Sequence, residues 1–223
     1  MNHKLLAIIL VLISLLSGCN KADDITSYPL DFFEVNRVDI SSLELSNVNK
    51  IIEEERTDNG FSAFLFTDYE SDQIKGGISL RDESYYIGDV SLKTATDDLF
   101  GIKEVQVFGR KAFKFYGVLG ANYGKAYYWF PEEELEESTI HIEGHTVEID
   151  LDDDGNNEIV STLGTIPETK IYIIKEGTID FSDIVKSMGA KSVRLLDIEK
   201  RLFEVYFEPN RPEKFIYYNG SLF

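Results

Sequence analysis

The 223-residue chain is poor in cysteine, histidine and positive charge. Cys19 is its only cysteine, so no disulfide can form within the chain. Lys and Arg number 22 against 40 Asp and Glu, a net charge of −18, and they form no cluster. Affinity for nucleic-acid phosphates comes from cationic side chains, so a nucleic-acid partner is excluded. The longest apolar run, Leu5 to Leu16, has twelve residues, short of the about 20 that a spanning helix needs. Three histidines leave few candidates for a histidine-dependent triad, and no Gly-x-Ser-x-Gly elbow occurs. Proline-rich, glycine-serine and low-complexity tracts are missing as well, which predicts a single domain. What is present is ample for a core: 43% of the residues are hydrophobic and 13% aromatic.

The first nineteen residues, MNHKLLAIILVLISLLSGC, have the order of a secretory leader. Lys4 supplies the positive start, the apolar run follows, and the small residues Ser17 and Gly18 precede Cys19. Leu16-Ser17-Gly18-Cys19 resembles the lipobox of bacterial lipoproteins; the competing reading is an uncleaved signal anchor with an incidental cysteine. The resemblance implies a signal peptide over residues 1–18, removed on processing, and a diacylglycerol on the Cys19 thiol. That would leave no thiol for catalysis and place the protein at the extracytoplasmic face of the cell membrane. Processing would remove Lys4 alone among the charged residues and shift the net charge from −18 to −19. Two or more acyl chains anchor stably where one is marginal. Residues 19–29 then comprise the lipidated cysteine and a polar tether, Asn20 to Pro29, with an r.m.s. span of roughly 17 Å.

Residues 30–223 are expected to form one mainly-β domain of antiparallel strands and hairpins, arranged as a sandwich or propeller-like units, with one or two short helices. Asp31 to Phe33 and Val38 to Ile40 are short strand candidates. Ser46 to Arg56 predicts a helix, with Ser46 or Asn47 as cap and Val48, Ile51 and Ile52 on one face. From Phe61 onward the text becomes strand-like: Phe61–Thr67, Gly77–Leu80, Tyr85–Leu92, Val105–Phe108, Phe113–Tyr116 and Lys125–Phe130. A second short helix is expected over Asp180–Met188, stopped by Gly189. A weak repeat runs through the second half. Leu163-Gly164 matches Leu119-Gly120, Val147 matches Val193, Glu158-Ile159-Val160 matches Glu204-Val205-Tyr206, and Ile171-Tyr172 matches Ile216-Tyr217. The spacing of about 40–50 is that of a four-stranded unit, though alternating Val, Ile and Tyr also match by chance.

One stretch carries metal chemistry: Asp150-Leu151-Asp152-Asp153-Asp154-Gly155-Asn156-Asn157-Glu158. Asp150, Asp152 and Asp154 stand at positions 1, 3 and 5 of a tight loop, with Gly155 allowing the turn. Alternating carboxylates of this kind converge on Ca²⁺, which collects six to eight oxygens. Asn156 at position 7 would offer its carbonyl, and Glu158 stands at position 9. The alternative is a solvated acidic hairpin turn. An EF-hand is excluded, because its position 12 is Ser161 and the flanks are strand-like. The stretch resembles the strand–loop–strand calcium site of integrin-type FG-GAP and VCBS repeats over Ile149 to about Gly177. That resemblance implies calcium held by Asp150, Asp152, Asp154, Asn156 and Glu158 in a structural role, although position 9 is usually Asp there. The stretch near Leu196 lacks the triplet, so a single site is expected.

Other constellations carry less. His141 and His145 have helical zinc spacing, yet their neighbours alternate as strands, and Glu143-Gly144 reads as a two-residue hairpin turn between them. Glu132 to Glu137 reads as a solvated loop or short helix. In the aromatic run Tyr123, Tyr127, Tyr128 and Trp129, half should enter the core, and the other half could meet sugars or a protein. These features point to a non-enzymatic, lipid-anchored, calcium-binding envelope module with a structural or binding role, its protein or glycan partner not readable from the sequence. The alternative is an envelope hydrolase acting on a glycan through paired carboxylates, which needs two carboxylates roughly 5 to 9 Å apart in a cleft.

Overall fold

In the computed structural model, residues 26–57 and 59–223 are described. The leader and Cys19 lie outside the described residues. Among those described, no helix is long and apolar enough to cross a membrane.

Three two-residue strands come first: β1 (Tyr28–Pro29), β2 (Phe33–Glu34) and β3 (Ser41–Ser42). Four antiparallel meanders of four strands follow. The first sheet holds β4 (Val48–Arg56), β5 (Ser62–Asp68), β6 (Gln73–Leu80) and β7 (Glu83–Leu92). The second holds β8 (Gly101–Val107), β9 (Arg110–Gly120), β10 (Tyr123–Trp129) and β11 (Thr139–Glu143). The third holds β12 (His145–Ile149), β13 (Glu158–Leu163), β14 (Glu168–Lys175) and β15 (Thr178–Asp183). After a one-turn helix, α1 (Ile184–Met188), the fourth holds β16 (Ser192–Asp197), β17 (Leu202–Glu208), β18 (Arg211–Tyr218) and β19 (Ser221–Leu222). The protein is mainly β, as the strand-rich text requires.

The sheets pack as successive layers with three separate cores: first on second, second on third, third on fourth. Among the described residues no core joins the first sheet to the fourth, so the units form an open row. Period-2 alternation explains how an inner sheet serves two cores. In β10, Tyr127 and Trp129 enter the core shared with the first sheet, while Ala126 and Tyr128 enter the core shared with the third. Both faces are therefore covered. This corrects the expectation that half of the aromatic run is exposed: Tyr127, Tyr128 and Trp129 are all buried, and Tyr123 is half-buried.

The N-terminal segment laces the row together. It pairs with the last strand of every sheet, in reverse order. Tyr28 lies opposite Leu222 in β19, Phe33 opposite Phe181 in β15, Arg37 bridges to Ile140 in β11, and Ser41 lies opposite Tyr86 in β7. The lace also gives a side chain to each core: Leu30 between the third and fourth sheets, Val35 between the second and third, and Val38 and Ile40 against the first core.

Two helix expectations are corrected. Residues 46–56 do not form a helix: a single 3-10 turn at Leu45–Asn47 leads into the nine-residue strand β4. Strand β5, with Phe64 and Phe66, offers a hydrogen-bonding edge, and this tertiary pairing overrides the local helix preference. β4 is an outer strand carrying Glu53, Glu54 and Glu55, a charged edge of the kind that discourages pairing with another chain. The helix expected over Asp180–Met188 begins only at Ile184, because Phe181 is held in β15 opposite Tyr172. Asp183 caps it by accepting from Lys186 N–H, and Gly189, at φ +65°, ends it. The supposed hairpin at Glu143-Gly144 is also absent. β11 pairs with β10 and β12 with β13, so Gly144 is where the chain crosses between sheets. A Cβ there would lie 2.8 Å from the Thr162 carbonyl oxygen.

Candidate metal centre

The acidic stretch is the loop between β12 and β13, whose last pair is Ile149 opposite Glu158. It is thus a strand–loop–strand unit. Leu151 is fully buried in the core between the third and fourth sheets and pins the loop from beneath. Asp153 and Gly155 take positive φ, +65° and +87°, and bend the chain so that alternate carboxylates turn inward.

Asp150, Asp152 and Glu158 each present a carboxylate oxygen, and these oxygens all lie within 4.8 Å of one another. Local bonds hold them in place. Asp150 Oδ2 accepts from Gly155 N–H at 3.0 Å, Asp152 Oδ1 from Asp154 N–H at 3.2 Å, and Glu158 Oε2 from Leu151 N–H at 2.7 Å. Asp154 and Asn156 line the same small cavity, about 280 Å³, with Asp152 and Glu158. Their side chains are bonded to each other: Asn156 Nδ2 donates to Asp154 Oδ2 at 3.1 Å, and Asp154 Oδ1 accepts from Asn156 N–H at 2.7 Å. Three of the five expected ligand residues therefore converge, and two stand beside them in a closed local pair.

The electrostatics follow from crowding. Burial pushes Glu158 up to about 7, repulsion from Asp152, Asp154 and Asp150 adds to the rise, and the Leu151 N–H opposes it. Asp152 is raised by burial and by Asp154 and Asp150. Among the described residues no Lys or Arg forms an ion pair with Asp150, Asp152 or Glu158, though Arg201 is close enough to feel Asp150 and Asp152. The nearby Arg201, in the turn between β16 and β17, makes a two-pronged ion pair with Asp153 instead. Asp150 Oδ1 is buried and has no hydrogen-bond partner among the described residues. An unsatisfied buried oxygen on one of three converging carboxylates fits a hard, oxygen-seeking cation.

The loop is also a junction. Phe108 N–H donates to Asn157 O at 2.7 Å, and Asn157 Nδ2 donates to Gln106 O at 3.1 Å, which ties it to the β8–β9 hairpin of the second sheet. A Cβ on Gly109 in that hairpin would come within 2.9 Å of Asn156 Oδ1. Arg201 ties the loop to the fourth sheet. Sequence spacing locates the carboxylates, but Leu151, Arg201, Phe108 and Gln106 carry no signal of their roles, because three of them meet the loop only through long-range packing. His141 lies in β11 of the second sheet and His145 in β12 of the third.

No protein-family model matches the chain, and no curated protein or solved structure gives a significant match. The likeness of Ile149 to about Gly177 to FG-GAP and VCBS repeats rests on the loop residues alone.

Proposed function

We propose that the protein is a lipid-anchored module of the cell envelope, held at the extracytoplasmic face of the membrane through Cys19. In it, one Ca²⁺ fastens the third sheet to its neighbours. Asp150, Asp152 and Glu158 supply the converging carboxylates, and Asp154 and Asn156 complete the loop. The role of the ion is structural, and the module serves binding or architecture without catalysis. The observation that carries the calcium reading is Asp150 Oδ1, buried and unpartnered beside two carboxylates in a loop bonded to the second and fourth sheets.

The test is thermal melting of the purified protein with excess calcium and with chelator. A ligand that binds only the folded state at 100 times its Kd stabilises it by about 2.7 kcal/mol. Calcium should raise Tm by several degrees, and Asp152→Ala should abolish the rise. Identical curves with calcium and chelator would refute the metal site. The anchor is tested separately: Cys19→Ser should move the protein from the membrane to the soluble fraction and stop incorporation of labelled fatty acid.

A further inference from the structure

Between β2 and β3 the lace crosses from the third sheet to the second. Val35 N–H donates to Ile179 O at 2.9 Å and Val38 N–H donates to Thr139 O at 3.0 Å. Between these anchors Asn36 and Arg37 border a cavity of about 440 Å³, a size suited to a small molecule. Its walls are aromatic. Tyr127 stacks on His141 with ring centroids 5.0 Å apart, and Tyr172 stacks on Phe181 at 5.9 Å. Lys170 Nζ sits 5.5 Å from the centroid of the Phe181 ring. None of these residues belongs to the acidic loop.

Three buried side-chain polar atoms lack a hydrogen-bond partner among the described residues, and two of them, Arg37 Nη1 and His141 Nε2, belong to residues lining this cavity. Arg37 pairs through Nε with Glu137 at 3.2 Å, which leaves Nη1 unused. A buried donor without an acceptor is costly, and more so when it is charged. Lys170 makes no ion pair with a carboxylate among the described residues. His141 stays uncharged at neutral pH, since burial and the nearby Lys125 lower its pKa to about 4 against a smaller opposing effect of Glu143. The one carboxylate lining the cavity, Glu143, accepts from Tyr123 Oη at 2.6 Å. A protein with a net charge of −18 thus keeps a cavity lined by two cationic residues, one paired through Nε with Glu137, and by aromatic walls. Its one carboxylate is already bonded to Tyr123, and two of its lining residues carry unused polar atoms.

We infer that this cavity binds a small organic anion. Its carboxylate meets Arg37 Nη1 and Lys170 Nζ, its flat apolar body lies against Tyr127, Tyr172 and Phe181, and His141 Nε2 completes the polar contacts. A guanidinium and an ammonium favour a carboxylate over a neutral group, and ring faces favour a planar body over a bare ion.

The probe is benzoate, titrated calorimetrically into the full chain in detergent, with benzamide and acetate as comparisons. Benzoate should bind saturably. Benzamide, which keeps the ring without the charge, and acetate, which keeps the charge without the ring, should each bind at least about tenfold more weakly. Arg37→Gln and Lys170→Gln should each weaken benzoate by about tenfold. Arg37→Gln also breaks the pair with Glu137, so Lys170→Gln is the variant expected to keep its melting temperature. Equal affinity for benzoate and benzamide would overturn the inference. So would wild-type benzoate affinity in Lys170→Gln, or no saturable binding below about 10 mM.

Discussion

Glu158 is the residue at which the acidic loop meets the core, and its ionisation should control the stability of the metal-free protein. Its carboxyl is raised from 4.5 to about 7, chiefly by burial and then by its three aspartate neighbours. A carboxyl with a raised folded-state pKa favours folding while it is protonated. That contribution is full below about 4.5 and is lost as pH rises through about 7. Without calcium, Tm should therefore fall between pH 5 and pH 8, and Glu158→Gln should flatten that part of the profile. With calcium the ion takes the place of the proton, so the fall should shrink. A metal-free profile unchanged by Glu158→Gln would remove Glu158 as its cause. At this scale the sequence was informative where chemistry is local. Asp150, Asp152 and Glu158 sit at spacings that bring their oxygens together across one loop. The spacing could not show that Asp154 and Asn156 bond to each other, since both patterns need the same residues.

The elements were legible wherever alternation decided the outcome. Phe61–Thr67 became β5 (Ser62–Asp68) within a residue at either end, and Tyr85–Leu92 lies inside β7. The repeat pairs also fall on equivalent strands. Val147 and Val193 lie on first strands, Glu158–Val160 and Glu204–Tyr206 on second strands, and Ile171–Tyr172 and Ile216–Tyr217 on third strands. Residues 46–56 misled because their apolar spacing suits a helix, whereas the strand they form leaves Ile51 and Ile52 47% and 37% exposed. Only the partner strand decides that choice. Between the second and third sheets the elements are joined by a polar clasp. Lys114 Nζ on β9 donates to Thr146 O at 2.9 Å and to Glu148 Oε1 on β12 at 2.7 Å, and Tyr128 Oη donates to the same oxygen at 2.5 Å. The side chains of Lys114 and Glu148 are only 5% and 13% exposed. Burial alone would raise the Glu148 pKa, but the Lys114 ammonium, the Tyr128 hydroxyl and the more distant Lys103 together leave it lowered. Lys114→Met removes the buried partner of Glu148, leaving it Tyr128 and the half-exposed Lys103 at 3.5 Å, and should cost about 3 kcal/mol in urea unfolding. Lys114→Met with Glu148→Leu removes both charges, so the double variant should be clearly more stable than the sum of the two single losses. Strict additivity would show that the pair is not coupled.

At the scale of the whole molecule the protein is an open row of four sheets, and long-range connection comes from the lace. Little of this was legible: Leu30 and Val35 show no period, and the alternation of Val38 and Ile40 suggests a strand where none forms; their places depend on strands far along the chain. The same arrangement hides the Arg37, His141 and Lys170 cavity from any local pattern. In an open row each layer feels mainly its neighbours, so damage should stay local in the way it does in repeat proteins. Leu30 is buried between the third and fourth sheets, and Val35 between the second and third. Leu30→Ala should cost about 2–3 kcal/mol. Its effect on amide hydrogen exchange should fall first on the fourth sheet, at amides such as those of Val193, Val205 and Tyr217. Val35→Ala removes less volume and should loosen the second and third sheets, leaving Phe64 to Phe66 of the first protected. Equal loss of protection in all four sheets from Leu30→Ala would mean that the lace joins the row into one cooperative unit, and the layered account of stability would fail.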